Sequence, residues 1–539
     1  VHTLFIGGHA YVPGEPGPRT AGVAVEDGRI VAVAPDAQLL AHRTVGTELV
    51  DLRGGLVLPG FVDSHAHPLI GGYEAGQCDL GSATDVATTL ALVKEYAARS
   101  ATSWILGGGW SMEHFIGGNP HRSLLDDVVS DRPVAVVSRD HHTLWTNSLA
   151  LERAGINAST PDPEGGRIER GPDGTPTGVI HERAMELVLD VQPPATSEQV
   201  VTGLLRGQDV MASVGVTAWL DARVGAQHGL PDTLDAYLAA DAAGSQRAKV
   251  TAALWWDPAQ GVEQVDELLA RRARASSGTG RISASVVKIM VDGIAENRTA
   301  ALSQPYRDPL GHPTDNHGET FLTTAQLNAA VAAVMAAGFD AHFHTLGDRA
   351  VSEALDAIEA ASSGRRATLA HLQMVTARDV ARFAQLGVAA SIQMLWAQPE
   401  PQLVELTLPF VHPDLVERHY PFGELHDAGA LLAAGSDWPV SSPDPLEAIQ
   451  VGVLRRDPRH SRTALGPCGH QLDLATALTA ATAGAAWALG REHEFGTLTV
   501  GSSADLVTLA HNPFTAPPEQ IAASRVTSTW IDGVRVHSI

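Results

Sequence analysis

Cysteine is nearly missing from this chain, with only Cys78 and Cys468 in 539 residues. Two distant thiols can build neither a disulfide framework nor a thiolate metal cage, and such sparing use fits a reducing cytoplasm. Positive charge is also in deficit: 37 Lys and Arg face 61 Asp and Glu, a formal net charge of −24. A surface this acidic repels phosphate backbones and anionic lipid, so neither nucleic acid nor membrane is an expected partner. No apolar run reaches the length of a membrane span. The opening residues VHTLFIGG lack a basic stretch followed by a long apolar one, so no export signal is expected. With 44% apolar and 18% charged residues, the composition is that of a globular protein.

The two ends of the chain are alike. Residues 21–34 read AGVAVEDGRIVAVA and residues 526–536 read VTSTWIDGVRV, each an alternating pair of runs joined by Asp-Gly. Asp-Gly between alternating runs is a strong hairpin signal, because both turn positions must tolerate positive φ. A further strand pair is expected over 498–509. Neither end holds enough strands for its own core, so residues 1–56 and 492–539 are expected to form one composite β-sandwich domain.

Between them, apolar strands alternate with alanine-rich helices. Strands are expected at 57–65, 215–221, 250–256, 285–292, 339–344, 367–371, 388–393 and 431–436, with helices at 325–337, 349–361 and 377–386. Several strands are nearly continuous in apolar residues, as strands buried on both faces should be. Eight such strands with intervening helices predict an α/β fold, a parallel (β/α)8 TIM barrel over 57–491. Residues 68–194 are too long for a strand-to-helix loop and rich in Gly, Pro, Trp and His. They are expected to be an insertion after the first barrel strand that covers the mouth.

Histidine carries the chemistry. His65 and His67, in GFVDSHAHP, share one strand face at i and i+2, roughly 7 Å apart along it. Two imidazoles so placed can converge on one cation. Lys288, in ASVVKIMVDG, sits among apolar residues, where an isolated ammonium is costly. It must be paired, neutralised or modified: either it forms a salt bridge to Asp292, or its neutral amine adds carbon dioxide as a carbamate that bridges metals. His344 in FDAHFHTLGDRA, with His342 two residues before it, His371 in TLAHLQ and Asp437 in LLAAGSDWPV end later strands. Active sites of barrel enzymes lie at that strand end. Four imidazoles, one lysine and one carboxylate suit Zn2+, and also Mn2+, Fe2+, Co2+ or Ni2+.

These motifs, with RDHHTLWTNSLAL, VKIMVDG followed by NRTAAL, and GTLTVGSSADLVTLAHNPF, resemble the amidohydrolase superfamily, specifically its third amidohydrolase family with N-substituted formamide deformylase-like members. The likeness implies one or two divalent ions. His65 and His67 would bind the more buried ion with Asp437, a carbamate on Lys288 would bridge, and His344 and His371 would hold the second ion. His342 matches no ligand position. The likeness also implies a barrel with an accessory β-sandwich.

The expected reaction is metal-assisted hydrolysis of a non-peptide C–N bond in a small amide, N-acyl or N-formyl substrate. A bound ion brings the pKa of its water toward about 7, and Asp437 is placed to move the proton from that water to the leaving nitrogen. Trp110, His142, Trp145 and Asn147 of the insertion, with Arg298 after the fourth strand, are candidate substrate contacts. The alternatives are a cyclic-amidine deaminase of the same superfamily and a non-catalytic scaffold. A homodimer is the candidate assembly.

Overall fold

The computed structural model describes residues 2–163, 165–227 and 229–539. Val1, Glu164 and His228, which belong to the expected terminal domain, insertion and barrel, lie outside the described residues. The centre of the fold is an eight-stranded, all-parallel sheet, here numbered β1 to β8. Its strands are β1 (Phe61–Ala66), β2 (Val216–Val224), β3 (Lys249–Trp255), β4 (Ile282–Met290), β5 (Asp340–Thr345), β6 (Ala367–His371), β7 (Ala389–Ile392) and β8 (Leu431–Ala434). Each pairs with the next in sequence. The barrel closes just beyond β8: the Asp437 N–H donates to the His65 carbonyl at 2.7 Å, and the His67 N–H donates to the Trp438 carbonyl at 2.8 Å. Those two bonds bring the first and last strands' ends together, which is where the expected ligands sit.

The predicted strand at 57–65 is two strands. Leu56–Pro59 joins a sheet outside the barrel, and β1 starts at Phe61. Gly60 makes the break, because a Cβ there would lie 2.3 Å from the Thr217 hydroxyl. Elsewhere the apolar runs mark the barrel strands to within a few residues, and helices Thr324–Ala336, Asp348–Ala361 and Ala377–Leu386 follow their strands. The first and third of these start on Thr323 and Thr376, whose side chains accept from the third-residue N–H of the helix.

Outside the barrel, His2–Ile6, Gly22–Glu26, Arg29–Ala34 and Glu48–Asp51 form a four-stranded sheet. His9–Ala10, Leu56–Pro59, Leu506–Leu509, Val526–Ile531 and Val534–Ser538 form a five-stranded one. Phe5, Val23, Leu506 and Trp530 pack between them. Both Asp-Gly hairpins are present, with Asp27, Gly28, Asp532 and Gly533 all at positive φ. The expected strand pair over 498–509 is not: only Leu506–Leu509 is a strand. The preceding residues bond instead to the N-terminal hairpin, through Gly501 N–H to Ile30 O and Ala504 N–H to Gly28 O.

The insertion carries a six-stranded mixed sheet, from Cys78–Asp79 to Pro176–Glu182 with Gly166–Arg170 at the far edge. Helix Pro68–Glu74, directly after β1, packs on helix Ser197–Ser213, which leads into β2. Among the described residues, no helix is long and apolar enough to cross a membrane.

Candidate metal centre

The barrel ladder aligns the ionisable side chains. Lys288 of β4 is in register with His342 of β5, and Thr345 of β5 with His371 of β6. His65, His67, Lys288, His344, His371 and Asp437 all line one cavity of about 600 Å3 at the strands' C-terminal end. That is a volume typical of small-molecule sites.

Asp437 is the hub. Its Oδ1 lies 3.2 Å from His67 Nε2 and 3.4 Å from His65 Nε2, and its Oδ2 lies 4.0 Å from His371 Nδ1. Donor atoms of His65, His371 and Asp437 fall within 4.8 Å of one another, close enough to share one cation. His371 is the most telling: both ring nitrogens are buried and neither has a hydrogen-bond partner among the described residues. Two orphaned imidazole nitrogens beside a carboxylate need either a proton or a metal. Burial answers against the proton, holding His371 down to about 3 and His65 and His344 well below the usual imidazole range. Neutral imidazoles with free lone pairs are what a divalent cation binds. Burial also pushes the Asp437 carboxyl up, but the His67 hydrogen bond and the neighbouring His371, His67 and Lys288 charges outweigh it and leave Asp437 below its usual value. The donor set therefore fits a divalent ion.

Around this set, other side chains fix orientation. His342 Nε2 lies 2.8 Å from His65 Nδ1. Asp63 Oδ1 accepts from the His65 and Ser436 N–H groups, both at 3.0 Å. His371 stacks on Trp396 with centroids 5.3 Å apart. Asp221, at the end of β2, approaches His67 Nδ1 at 3.9 Å. Asp292 accepts from Leu346, Gly347 and Ala301 N–H groups and meets His344 Nδ1 at 3.3 Å. It is fully committed there, so the salt bridge to Lys288 does not form. Lys288, buried, has no ion-pair partner among the described residues, and burial lowers its pKa to about 7 against the pull of Asp437.

A model of the amidohydrolase family matches residues 48–537. The chain belongs to the amidohydrolase family. Protein LONG AFTER FAR-RED 3 of Arabidopsis thaliana is 30% identical over 96% of this chain and 88% of its own length. The N-substituted formamide deformylase of Arthrobacter pascens is 25% identical over 95% of this chain and 94% of its own. Among solved structures, an uncharacterized metal-dependent hydrolase from Pyrococcus furiosus superposes with a TM-score of 0.73, at 24% identity, over 96% of this chain and all of that one. The last likeness shows the fold.

Of the five expected substrate contacts, only His142 lines the cavity. It pairs with Glu182 at 2.8 Å, its ring 5.7 Å from that of His344. Trp110 and Trp145 are fully buried inside the insertion, edge-on to each other and to Phe115. Their large apolar rings fill that domain's own core, and the Trp110 Nε1–H is spent on the Val136 carbonyl. Asn147 is also buried, where it caps helix Ser148–Arg153 and accepts the Val134 N–H. Arg298 stacks on Phe410 with its Cζ 4.4 Å from the ring centre, outside the cavity wall. In their place the wall includes Glu182, Arg223, Trp255 and Phe321. Arg223 lies two residues beyond the strand expected at 215–221; β2 runs on to Val224 and carries it into the wall.

Proposed function

We propose that the chain is a metal-dependent hydrolase of a linear, non-peptide C–N bond, an amide, N-acyl or N-formyl bond in a small molecule. The observation that carries this reading is the pair of unpartnered His371 nitrogens beside His65, His67 and Asp437 at the floor of the cavity. His65, His67 and Asp437 would hold one ion, Zn2+ being best suited to this donor set, and His344 and His371 a second. When bound, the ion supplies Lewis acidity and acidifies water toward neutral pH.

The chain's own residues then have definite tasks. Asp437 is the base: its carboxylate accepts a proton at Oδ1 or Oδ2 from the attacking water and returns it to the leaving nitrogen. Lys288, whose pKa of about 7 leaves about half of the amine neutral at pH 7, is suited to add carbon dioxide, forming an N–C bond and releasing one proton to leave an anionic carbamate. That anion would bridge the two ligand groups. Glu182 overcomes burial and raises His142 to about 9, so a charged imidazole faces the substrate side of the cavity. The relative named N-substituted formamide deformylase adds support for a linear amide.

The test is a screen of N-formyl, N-acyl and cyclic amides against protein of measured metal content, with ammonia release from heterocyclic amines as a parallel arm. Turnover of a linear amide that scales with bound metal is expected. Ammonia release without amide cleavage would make the chain a deaminase, and protein that cannot be loaded with metal would make it a scaffold.

A further inference from the structure

Besides Lys288, Arg223 is a basic side chain of the cavity wall without an ion-pair partner among the described residues. Arg223, near the end of β2, lines the same cavity as Lys288 and places its Cζ over the Trp255 ring, 4.2 Å from the ring centre. Trp255 is in register with Lys288 on the adjacent strand, so one strand, β3, separates the backbone that carries Arg223 from the backbone that carries Lys288. The Arg223 backbone is pinned on both sides: its N–H donates to Asp221 Oδ1 at 3.2 Å, and Gln227 Nε2 donates to its carbonyl at 2.8 Å. Its Nε is buried without a hydrogen-bond partner, and no carboxylate pairs with the guanidinium among the described residues. Glu186 is the acidic group that acts on it, and burial still lowers Arg223 to about 10, so it is charged at neutral pH.

Stacking uses the face of a guanidinium and leaves its in-plane N–H donors free, which is the arrangement that receives a carboxylate on two hydrogen bonds. Keeping such a group half-buried and unpaired is costly unless a ligand completes it. The same wall carries the apolar side chains of Ile70, Met185, Leu189 and Leu230 beside Glu186, Asp190 and Asp257. We infer that Arg223 binds an anionic group of the substrate, which makes the substrate an amide with a carboxylate and an apolar side group on the half away from the metal ligands. This rests on the hydrolase reading for the word amide, but not for the anion site.

Two measurements separate them. In the first, metal-loaded protein is titrated with hexane-1-sulfonate, which has no amide and is a weak metal ligand, and with neutral hexan-1-ol. In the second, kcat/KM is compared for N-acetylleucine and its neutral counterpart N-acetylleucinamide. A hydrogen-bonded charge of this kind changes affinity by about 10- to 100-fold. The expected result is that Arg223→Gln weakens the sulfonate by that factor and leaves hexanol unchanged. It should also erase a wild-type preference for N-acetylleucine, while Arg223→Lys keeps part of both effects. Sulfonate binding equal in wild type and Arg223→Gln would overturn the inference, as would measurable and equal kcat/KM on the two leucine amides in the wild type. Loss of sulfonate binding in Arg223→Gln with no amide cleaved by any form would uphold the anion site and bring down the hydrolase reading alone.

Discussion

His342 Nε2 sits 2.8 Å from His65 Nδ1, with both rings buried in the barrel. Burial keeps His342 well below the usual imidazole range, so it is an uncharged partner. A proton on His65 Nδ1 donated to His342 leaves His65 Nε2 with its lone pair directed toward Asp437. The partner that sets the tautomer of a ligand imidazole typically contributes about 10- to 100-fold to metal affinity. His342→Ala is therefore expected to weaken zinc binding by that factor in a chelator competition, and His342→Gln, which keeps an acceptor, to recover part of it. Equal affinities in all three proteins would make His342 a packing residue only.

Asp437→Asn separates binding from proton transfer. The amide keeps an oxygen ligand and the closing backbone bond from Asp437 N–H to His65 O, so metal content should change little. It cannot take up a proton at neutral pH, so kcat should fall by about 10²- to 10⁴-fold. Metal analysis and turnover on the same preparation give both numbers, and a variant with full metal and near wild-type rate would remove Asp437 from the role of base.

Lys288→Ala should lower the number of ions bound per chain, because the amine that could carry the bridging anion is gone. Short carboxylic acids added to this variant are expected to restore part of the activity by occupying the same space. Metal stoichiometry equal to wild type would show that Lys288 takes no part in holding ions.

The barrel was readable because strands buried on both faces are continuous apolar runs, and the run 367–371 coincides with β6 to the residue. The ligand candidates stood out in the sequence for a related reason: a His, Lys or Asp at the end of an apolar run is costly to bury without a partner. Leu56–Phe61 shows the limit. The Pro59-Gly60 pair inside that run is a breaker signal, and the division between two sheets falls there. Four of the five expected substrate contacts lie away from the cavity lining for a different reason. A Trp or Asn in a Gly-rich stretch carries the same signature whether it faces a ligand or fills a small domain's own core, as Trp145 does. Arg223 was passed over because its significance is the lack of a partner, which a sequence does not display.

Asn147 gives the sharpest contrast with that expectation. Its Oδ1 accepts from Val134 and Ala150 N–H groups, both at 3.0 Å, and its Nδ2 donates to Val129 and Arg132 carbonyls. Asn147→Ala removes a helix cap and strands buried backbone groups, a loss of about 2–4 kcal/mol. Urea unfolding should register that loss while kcat/KM of the folded protein changes less than about threefold, within the range of a change of ~0.6 kcal/mol. A selective rise in KM with unchanged stability would restore Asn147 to the substrate site.

Asp532, at the tip of the C-terminal hairpin, ties that hairpin to the barrel. Its Oδ1 accepts from Lys249 Nζ at 2.8 Å and Ser503 Oγ at 2.6 Å, and its Oδ2 pairs with Arg281 at 2.8 Å. Burial raises the carboxyl, but the Lys249 charge and hydrogen bond, with help from Ser503 and Arg281, bring it down to about 2. An unfolded Asp titrates near 3.9. The folded value is depressed, so the contribution is present in full above about 3.9 and is lost as pH falls through about 2. Asp532→Asn keeps the positive-φ tolerance the turn needs and removes the charge together with one of the two acceptor oxygens. The difference in urea midpoint between wild type and Asp532→Asn should therefore be the same at pH 7 and pH 5 and smaller at pH 3. A difference that held constant down to pH 3 would mean that the carboxylate's charge does not make this tie.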